Sequence, residues 1–303
     1  MKRELEDLFR LDGKVIVITG AAGLLGRKHA EAIAAYGGTP ALLDLHKEPV
    51  KLIANELNDR YDVSAFGFAV DITNEQAIQD NAVSLINMFG KIDGLVNNAA
   101  NNPKVEDDGD KSFSRLETFP IEIWNQELAV GLTGAYLCAK HYGAAIASNS
   151  YGGGIINISS DLGLVAPDQR LYRKEGLPEE QQPVKPVTYS VVKTGLIGLT
   201  RYLATYWADK NVRCNAICPG GVENGQPEDF LKEVCSRIPM GRLAQSSEYQ
   251  GVLIWMLSEA SSYLNGAIVP FTIRNSMFFQ YSSDKVFFYK IHYLKSKNYR
   301  KKV

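Results

Sequence analysis

Cysteine is scarce in this sequence, and its spacing gives it no evident chemical role. The 303 residues contain four cysteines, Cys138, Cys214, Cys218 and Cys235, and none of them forms a Cys-x-x-Cys pair. Thiols that are few and irregularly spaced are typical of small apolar core residues in a reducing compartment. The sequence therefore predicts neither a disulfide framework nor a metal site.

Long apolar runs and a surplus of one charge are missing as well. No stretch offers the roughly 18 consecutive apolar residues that a membrane-spanning helix needs, and the charged N-terminal segment lacks the apolar run of a signal peptide. The formal net charge is −1, which gives no reason to expect nucleic acid or a membrane as a partner. We expect a cytoplasmic protein whose partner is a small-molecule substrate.

Short apolar stretches alternate with segments of helical periodicity along most of the chain. This pattern predicts an α/β fold: a single Rossmann-type, doubly wound parallel sheet of about seven strands with helices on both faces. The predicted strands are Lys14–Thr19, Thr39–Asp44, Val63–Val70, Ile92–Val96, Gly154–Ile158, Val212–Ile217 and Ala267–Phe271. The predicted helices are Leu24–Tyr36, Lys47–Arg60, Asn74–Phe89, 120–147, Val187–Ala208 and Glu248–Ser258.

A glycine cluster follows the first predicted strand and opens the first helix. Gly20, Gly23 and Gly26 flank Leu24 and Leu25. Glycines at such a turn let the backbone approach a pyrophosphate, and the helix N-terminus then presents free N–H groups to the phosphates. A tight strand-to-helix turn without a ligand would look similar, but the strand–turn–helix context favours a dinucleotide cofactor.

Asp44 ends the second predicted strand, 18 residues after Gly26. A carboxylate at this position can accept hydrogen bonds from both adenosine ribose hydroxyls. A 2′-phosphate there would meet like charge, at a cost of about 4 kcal/mol per charge pair at 4 Å and an effective dielectric constant of 20. The sequence therefore predicts NAD as the cofactor, with NADP less favoured.

Further candidate cofactor contacts stand where the next strands end. Ligands of open α/β sheets bind at the carboxyl ends of the strands. The candidates there are Asp71, Ile72, Asn98, Ala99 and Ala100.

Tyr189 and Lys193 lie four residues apart at the start of the fifth predicted helix, so they share one face of it. A cation within about 4–6 Å favours the phenolate and lowers the pKa of a tyrosine by about 1–3 units. Such a pair can donate and accept protons near neutral pH. Tyr-x-x-x-Lys alone is a weak pattern, and its significance depends on the motifs that precede it.

Taken together, these motifs resemble the short-chain dehydrogenase/reductase family over residues 11–270. The glycine spacing is that of the extended, sugar-nucleotide-modifying branch, whereas the Asn-Asn-Ala-Ala stretch at 97–100 and the chain length are similar to the classical branch. The resemblance implies NAD(P)-dependent hydride transfer and, commonly, homodimers or homotetramers.

The resemblance also assigns roles to residues. It implies that Tyr189 exchanges a proton with the substrate oxygen and that Lys193 binds the nicotinamide ribose. Ser160 would hydrogen-bond the reacting carbonyl or alcohol. The turn at Pro219, Gly220 and Val222 would contact the nicotinamide.

Gly131 departs from the family pattern, because related sequences have a catalytic asparagine at this position. A glycine keeps its backbone carbonyl but supplies no side-chain amide. This puts the family's proton relay in doubt, although not Tyr189 or Lys193.

The separation of Ser160 from Tyr189, 28 residues, is longer than the family usually has. We expect the extra segment, residues 161–186, to project over the substrate side of the cleft. It carries the basic residues Arg170, Arg173, Lys174 and Lys185. As a hypothesis, Arg170 and Arg173 bind a phosphate or carboxylate of the substrate; the alternative is a solvated loop that also holds several glutamates.

The chain is predicted to form one domain over residues 1–271, followed by an atypical tail at 272–303. The tail has eight Lys/Arg residues against one Asp, is rich in Phe and Tyr, and contains no glycine. It does not resemble the family's usual C-terminus, and we expect it to pack poorly.

The leading interpretation is an NAD(P)-dependent oxidoreductase that acts on a hydroxyl or ketone of a sugar-like, anionic small molecule. The pattern, including Gly131 and the 161–186 segment, is similar to a subgroup labelled flagellin modification protein A, associated with nonulosonic (sialic-acid-like) sugars. Two alternatives stay open. One is an NAD-binding regulatory or scaffold protein with impaired catalysis, and the other is an extended-type sugar-nucleotide epimerase or dehydratase.

Overall fold

The computed structural model describes residues 4–101 and 114–271. Their centre is a seven-stranded parallel sheet with strand order β3-β2-β1-β4-β5-β6-β7. The strands are β1 Val15–Thr19, β2 Thr39–Asp44, β3 Phe66–Ala69, β4 Gly94–Asn97, β5 Gly153–Ile158, β6 Val212–Cys218 and β7 Ile268–Pro270. The predicted fold class is confirmed.

The strand order reverses between β1 and β4, which pair in parallel with Val17 opposite Leu95. The segments that leave β1 and β4 therefore run in opposite directions, and a crevice opens above the carboxyl ends of these two strands. Strand β1 is buried throughout, because helices cover both faces of the sheet. The topology thus places the ends of β1, β2, β4 and β5 around one crevice.

Apart from short 3-10 turns, seven helices lie around the sheet in the described part of the chain. Helix α4 spans 121–148 and contains two π-helical turns, Ala129–Thr133 and Ala139–Gly143, between α-helical segments. The others are α1 Leu24–Ala35, α2 Lys47–Tyr61, α3 Glu75–Phe89, α5 Val187–Tyr206, α6 Glu228–Cys235 and α7 Gln250–Leu257. Among the described residues, no helix combines the length and the apolar character that a membrane crossing requires.

Most strand and helix ends lie within two residues of their predicted positions. The exceptions are β3, which begins three residues later than predicted, and α6, which was not predicted. Its apolar residues pack against the 161–186 segment in a small separate core formed by Leu171, Val234, Ile238 and Leu243. The predicted tail at 272–303 lies outside the described residues.

A chain of buried polar groups ties the centre of the sheet to α5. Asn97 Nδ2 donates to Asn157 Oδ1 at 2.8 Å, and Asn157 Nδ2 donates to Thr200 Oγ1 at 2.8 Å. Thr200 Oγ1 in turn donates to the carbonyl of Leu196 at 2.7 Å. Each of these groups would be costly to bury without its partner, so the chain fixes the position of α5 on β4 and β5.

Thr200→Val should therefore destabilise the protein. The substitution keeps the shape of the side chain but leaves Asn157 Nδ2 with only the weak sulfur acceptor Cys214 Sγ at 3.7 Å, which costs about 1–3 kcal/mol of unfolding free energy. Thr205→Val is the matched control, because Thr205 is exposed on the same helix and such a change stays within about 0.5 kcal/mol. Urea unfolding of both variants measures the difference, and equal stabilities would contradict the role given to Thr200.

Candidate functional site

A cleft of about 990 Å³ opens above the carboxyl ends of the strands. Almost all the site residues expected from the sequence line it. These are Gly20, Gly23, Leu24, Leu25, Asp44, Asp71, Ile72, Asn98, Ala99, Ala100, Ser160, Tyr189, Lys193, Pro219, Gly220 and Val222. Gly26, Arg170 and Arg173 are not among the lining residues. The cleft has the size of a ligand site of this fold class.

The glycine turn is built by close backbone packing. Gly20 has φ +62°, and a Cβ on it would lie 2.8 Å from Ala99 Cα. A Cβ on Gly26 would lie 2.2 Å from the carbonyl oxygen of Gly20. Gly26 therefore brings α1 against the turn, although it does not line the cleft.

Asn98 braces the same turn from the neighbouring strand. Its Nδ2 donates to the carbonyl oxygens of Thr19 and Gly20, both at 3.0 Å. Thr19 Oγ1 accepts the backbone N–H groups of Asn98 and Ala99 at 3.0 and 3.1 Å. These bonds hold the turn open at the foot of α1.

Helix α1 begins at Leu24, so the N–H groups of its first turn face the cleft. Their partial positive charge suits a diphosphate. Asp44 lies at the adjacent strand end, where its Oδ2 accepts the backbone N–H of Ala22 at 3.0 Å. A turn whose N–H groups can donate to phosphates and a carboxylate one strand away that can accept from ribose hydroxyls are the groups that the adenosine half of a dinucleotide requires. The residues present fit such a cofactor.

Tyr189 lies in the cleft between two ammonium groups. Lys185 Nζ is 3.9 Å from the centroid of the Tyr189 ring, and Lys193 Nζ is 5.8 Å from it. Both lysines also line the cleft. Two cations at this range favour the negatively charged form of a phenol, so the arrangement suits proton exchange with a substrate oxygen.

Lys193 is almost completely buried. Only 6% of its surface is exposed, and its Nζ donates to the carbonyl oxygen of Ile158 at 2.8 Å. Burial lowers the pKa of the ammonium to about 8, and the nearby charge of Lys185 adds to this effect. The ammonium is thus the major form of Lys193 at neutral pH, within reach of deprotonation.

Ser160 follows β5 and contacts a carboxylate that the sequence analysis did not single out. Its Oγ donates to Asp161 Oδ1 at 3.0 Å and accepts the N–H of Leu162 at 3.1 Å. Rotation of the hydroxyl would turn its proton toward a ligand oxygen at the expense of the bond to Asp161. Asp161 is 1% exposed and its backbone N–H donates to Pro219, which joins the serine to the Pro219–Gly220 turn.

Part of the 161–186 segment lines the cleft. Leu162, Leu171, Tyr172 and Lys185 from this segment line the cleft, together with Phe230 of α6. Of its basic residues, Lys185 is thus the cleft-lining one. The sequence did mark this segment as basic, but it carried no signal for which of the cations would face inward.

The structure places Arg170 and Arg173, which the sequence hypothesis assigns to substrate binding, outside the lining of the cleft. Arg170 Nη2 pairs with Asp168 Oδ2 at 2.8 Å, and Arg173 pairs with Glu179. The Arg170 side chain is 76% exposed. Each guanidinium is held by a carboxylate of the same segment, outside the lining of the cleft.

Two family profiles match consecutive parts of the chain. One is described as short chain dehydrogenase and covers residues 14–172. The other is described as enoyl-(acyl carrier protein) reductase and covers residues 179–271. Together they span the described sheet and the cleft.

Individual proteins match over most of their length. An NADP-dependent mannitol dehydrogenase of Hypocrea jecorina is 34% identical over 271 residues, which cover 87% of this chain and 92% of that protein. A 3-oxoacyl-(acyl-carrier-protein) reductase of Aquifex aeolicus is 31% identical over 264 residues, covering 86% and 96%. The structure of an NAD⁺-bound xylitol dehydrogenase superimposes with a TM-score of 0.74 at 26% identity, covering 86% of this chain and 98% of that one.

The buried Lys193 makes stability depend on pH. Its pKa is about 8 in the folded cofactor-free protein, against 10.5 for an ordinary, solvated lysine. Between these two pH values the unfolded chain binds more protons, so the free energy of unfolding should rise with pH, by up to about 3 kcal/mol.

Lys193→Met removes this contribution. The free energy of unfolding of the wild type minus that of the variant should therefore increase from pH 8 to pH 10.5, as measured by urea unfolding. Lys47→Met, at an exposed position of α2, controls for the loss of one lysine. A constant difference across the window would show that the ammonium is not desolvated.

Proposed function

The chain belongs to the short-chain dehydrogenase/reductase family and is an NAD(P)-dependent oxidoreductase of that type; we propose that it is an NAD-dependent dehydrogenase of a sugar-like, anionic hydroxy compound or of the matching ketone. The reaction is a hydride transfer at a hydroxyl or carbonyl carbon. The observation that carries the proposal is the position of Tyr189 in the same cleft as the glycine turn, with the ammonium groups of Lys185 and Lys193 close to its ring.

The protein's own groups handle the proton and the orientation of the substrate. A bound nicotinamide supplies or accepts the hydride. Tyr189 gives a proton to the substrate oxygen during reduction, or takes it during oxidation. Ser160 donates a hydrogen bond to the same oxygen when its hydroxyl turns away from Asp161. The buried ammonium of Lys193 supports the phenolate form of Tyr189 electrostatically.

The preference for NAD rests on Asp44. Its carboxylate lines the cleft next to the glycine turn, where a 2′-phosphate would be repelled. The names of similar proteins include both kinds of enzyme: the mannitol dehydrogenase is NADP-dependent, and a glycerol dehydrogenase of Listeria innocua, 28% identical over 85% of this chain, is NAD-dependent. The charge at the end of β2 is what favours NAD here.

The anionic substrate rests on Lys185. This residue replaces Arg170 and Arg173 as the proposed binding group, because it lines the cleft beside Tyr189. A nonulosonic acid precursor, as used in flagellin glycans, is one such substrate, since it offers hydroxyl groups and a carboxylate. None of the relatives named above carries flagellin modification in its name, so this identity rests on the sequence resemblance together with Lys185.

A substrate screen tests the function directly. Polyols, sugar acids and 3-oxoacyl thioesters are each incubated with NAD(H) or NADP(H), and the absorbance of the reduced nicotinamide is followed. We expect turnover with NAD(H) and at least one hydroxy acid. Tyr189→Phe should lower kcat by about 100-fold or more, because it removes the acid–base hydroxyl. Binding of NAD without turnover across the panel would favour a regulatory protein.

Lys185→Gln tests the anionic character of the substrate. Its KM for a carboxylate-bearing substrate should rise about tenfold or more, since a charge-assisted hydrogen bond contributes about 1.5–3 kcal/mol. The KM for a neutral polyol should hardly change. Arg170→Gln is the matched control and should leave both constants unchanged. Equal effects of Lys185→Gln on the KM for charged and neutral substrates would contradict an anion-binding role for Lys185.

A further inference from the structure

A second, much smaller cavity lies beside Tyr189 and Lys193. Its volume is about 10 Å³, close to the least space in which one water molecule fits. Its lining consists of Ala100, Asn101, Glu127, Gly131, Thr188, Tyr189, Val192 and Lys193. A cavity of this size with several polar neighbours is suited to a single bound water.

Glu127 is the carboxylate in this lining. It belongs to α4 and is 7% exposed. Its Oε2 accepts a hydrogen bond from Oγ1 of Thr188, which is fully buried in the first turn of α5. A carboxylate is costly to bury without a compensating interaction, and the reaction described above does not use it.

Gly131 lines the same cavity and leaves it without a side chain at that position. It lies one turn after Glu127, in the π-helical turn Ala129–Thr133. A Cβ on Gly131 would lie 2.5 Å from Val192 Cγ1, so α4 and α5 are in direct contact here. Position 131 therefore contributes no side chain, and Glu127 supplies a polar group on the same helix one turn earlier.

We propose that Glu127 takes part in the proton transfer of the reaction. It exchanges a proton with Tyr189 through one water molecule in this small cavity. The idea rests on the proposed dehydrogenase function. During oxidation Tyr189 takes the proton of the substrate hydroxyl. The O–H bond of Tyr189 then breaks as its proton passes to the water, and the water gives one of its own protons to the Glu127 carboxylate. Tyr189 is again a phenolate, Glu127 is a carboxylic acid, and reduction runs the same transfers backward.

Glu127→Gln separates this role from a structural one. Glutamine keeps an acceptor for Thr188 but cannot take up a proton, so kcat should fall about tenfold or more while KM and the melting temperature change little. Thr188→Val is the matched variant. It removes the hydrogen bond and keeps the carboxylate, so it should lower the melting temperature and reduce kcat less than Glu127→Gln does.

A titration of the cofactor-free protein gives a readout that does not need turnover. The charged groups around the phenol are Lys185 and Lys193, with Asp161 in the large cleft and Glu127 at the small cavity. The ultraviolet absorbance of tyrosinate, taken as the difference from Tyr189→Phe, reports ionisation of Tyr189. Loss of the Glu127 charge should move this titration to lower pH by about one unit.

The kinetic and titration measurements distinguish failure of the relay from failure of the proposed function. A Glu127→Gln protein with full kcat and an unshifted Tyr189 titration would overturn the relay, and so would losses of kcat that follow stability in both variants. Absence of turnover in the wild type would contradict the proposed function, while the titration would still test the link between Glu127 and Tyr189. If Glu127→Gln folds poorly, Glu127→Asp is compared per folded molecule: reduced kcat supports the relay, and full kcat counts against it.

Discussion

The hydrogen bond from Lys193 Nζ to the carbonyl of Ile158 determines the geometry of the catalytic end of the cleft. A second bond crosses the same junction, since Ser159 Oγ donates to the carbonyl of Lys193 at 2.7 Å. Together they clamp the middle of α5 to the last residue of β5. Ser160 and Tyr189 then have to face one crevice, because one follows the clamped strand and the other lies one turn before the clamped lysine. Burial of the ammonium opposes this arrangement, and the two bonds help to offset it.

Close backbone contact is the second constraint, and it explains why glycines mark the site so well in the sequence. At Gly163 a Cβ would lie 2.7 Å from Ser159 Oγ and 2.8 Å from the carbonyl of Lys193. The chain leaves the clamp at this point and enters the 161–186 segment. A side chain here would push the segment off α5, and the clamp itself would open. The same reasoning applies to Gly20 and Gly26 at the cofactor end.

The cofactor half of the site could be predicted from the sequence because its determinants are local. A buried strand, a glycine turn and a helix start are adjacent in the chain, and the period of the apolar residues fixes their order. The substrate half depends on contacts between distant segments. Helix α6 has eight residues and buries its apolar face on Leu171 and its neighbours. Its apolar residues 230, 231, 234 and 235 do have helical spacing, and the sequence analysis overlooked this short signal. Arg170 and Arg173 pair with Asp168 and Glu179, and sequence alone does not reveal such pairings. Glu127 was missed because a single glutamate in a helix is usually solvated.

The two halves of the site are held by different parts of the structure, which bears on substrate specificity. The cofactor end is built from strand ends and one helix N-terminus, all held by the sheet. The other end, where the proposed substrate binds, is built from the 161–186 segment and α6, which share a core of their own. Substitutions in that small core can reshape the substrate end while the glycine turn and Tyr189 keep their positions. Relatives whose names specify mannitol, glycerol and xylitol match this chain over most of its length. This is expected if the sheet and the cofactor end are shared while the segments that line the other end differ. In the proposed function, residues such as Lys185 and Phe230, which line the cleft, select the substrate, and the contact of α4 with α5 serves the proton transfer.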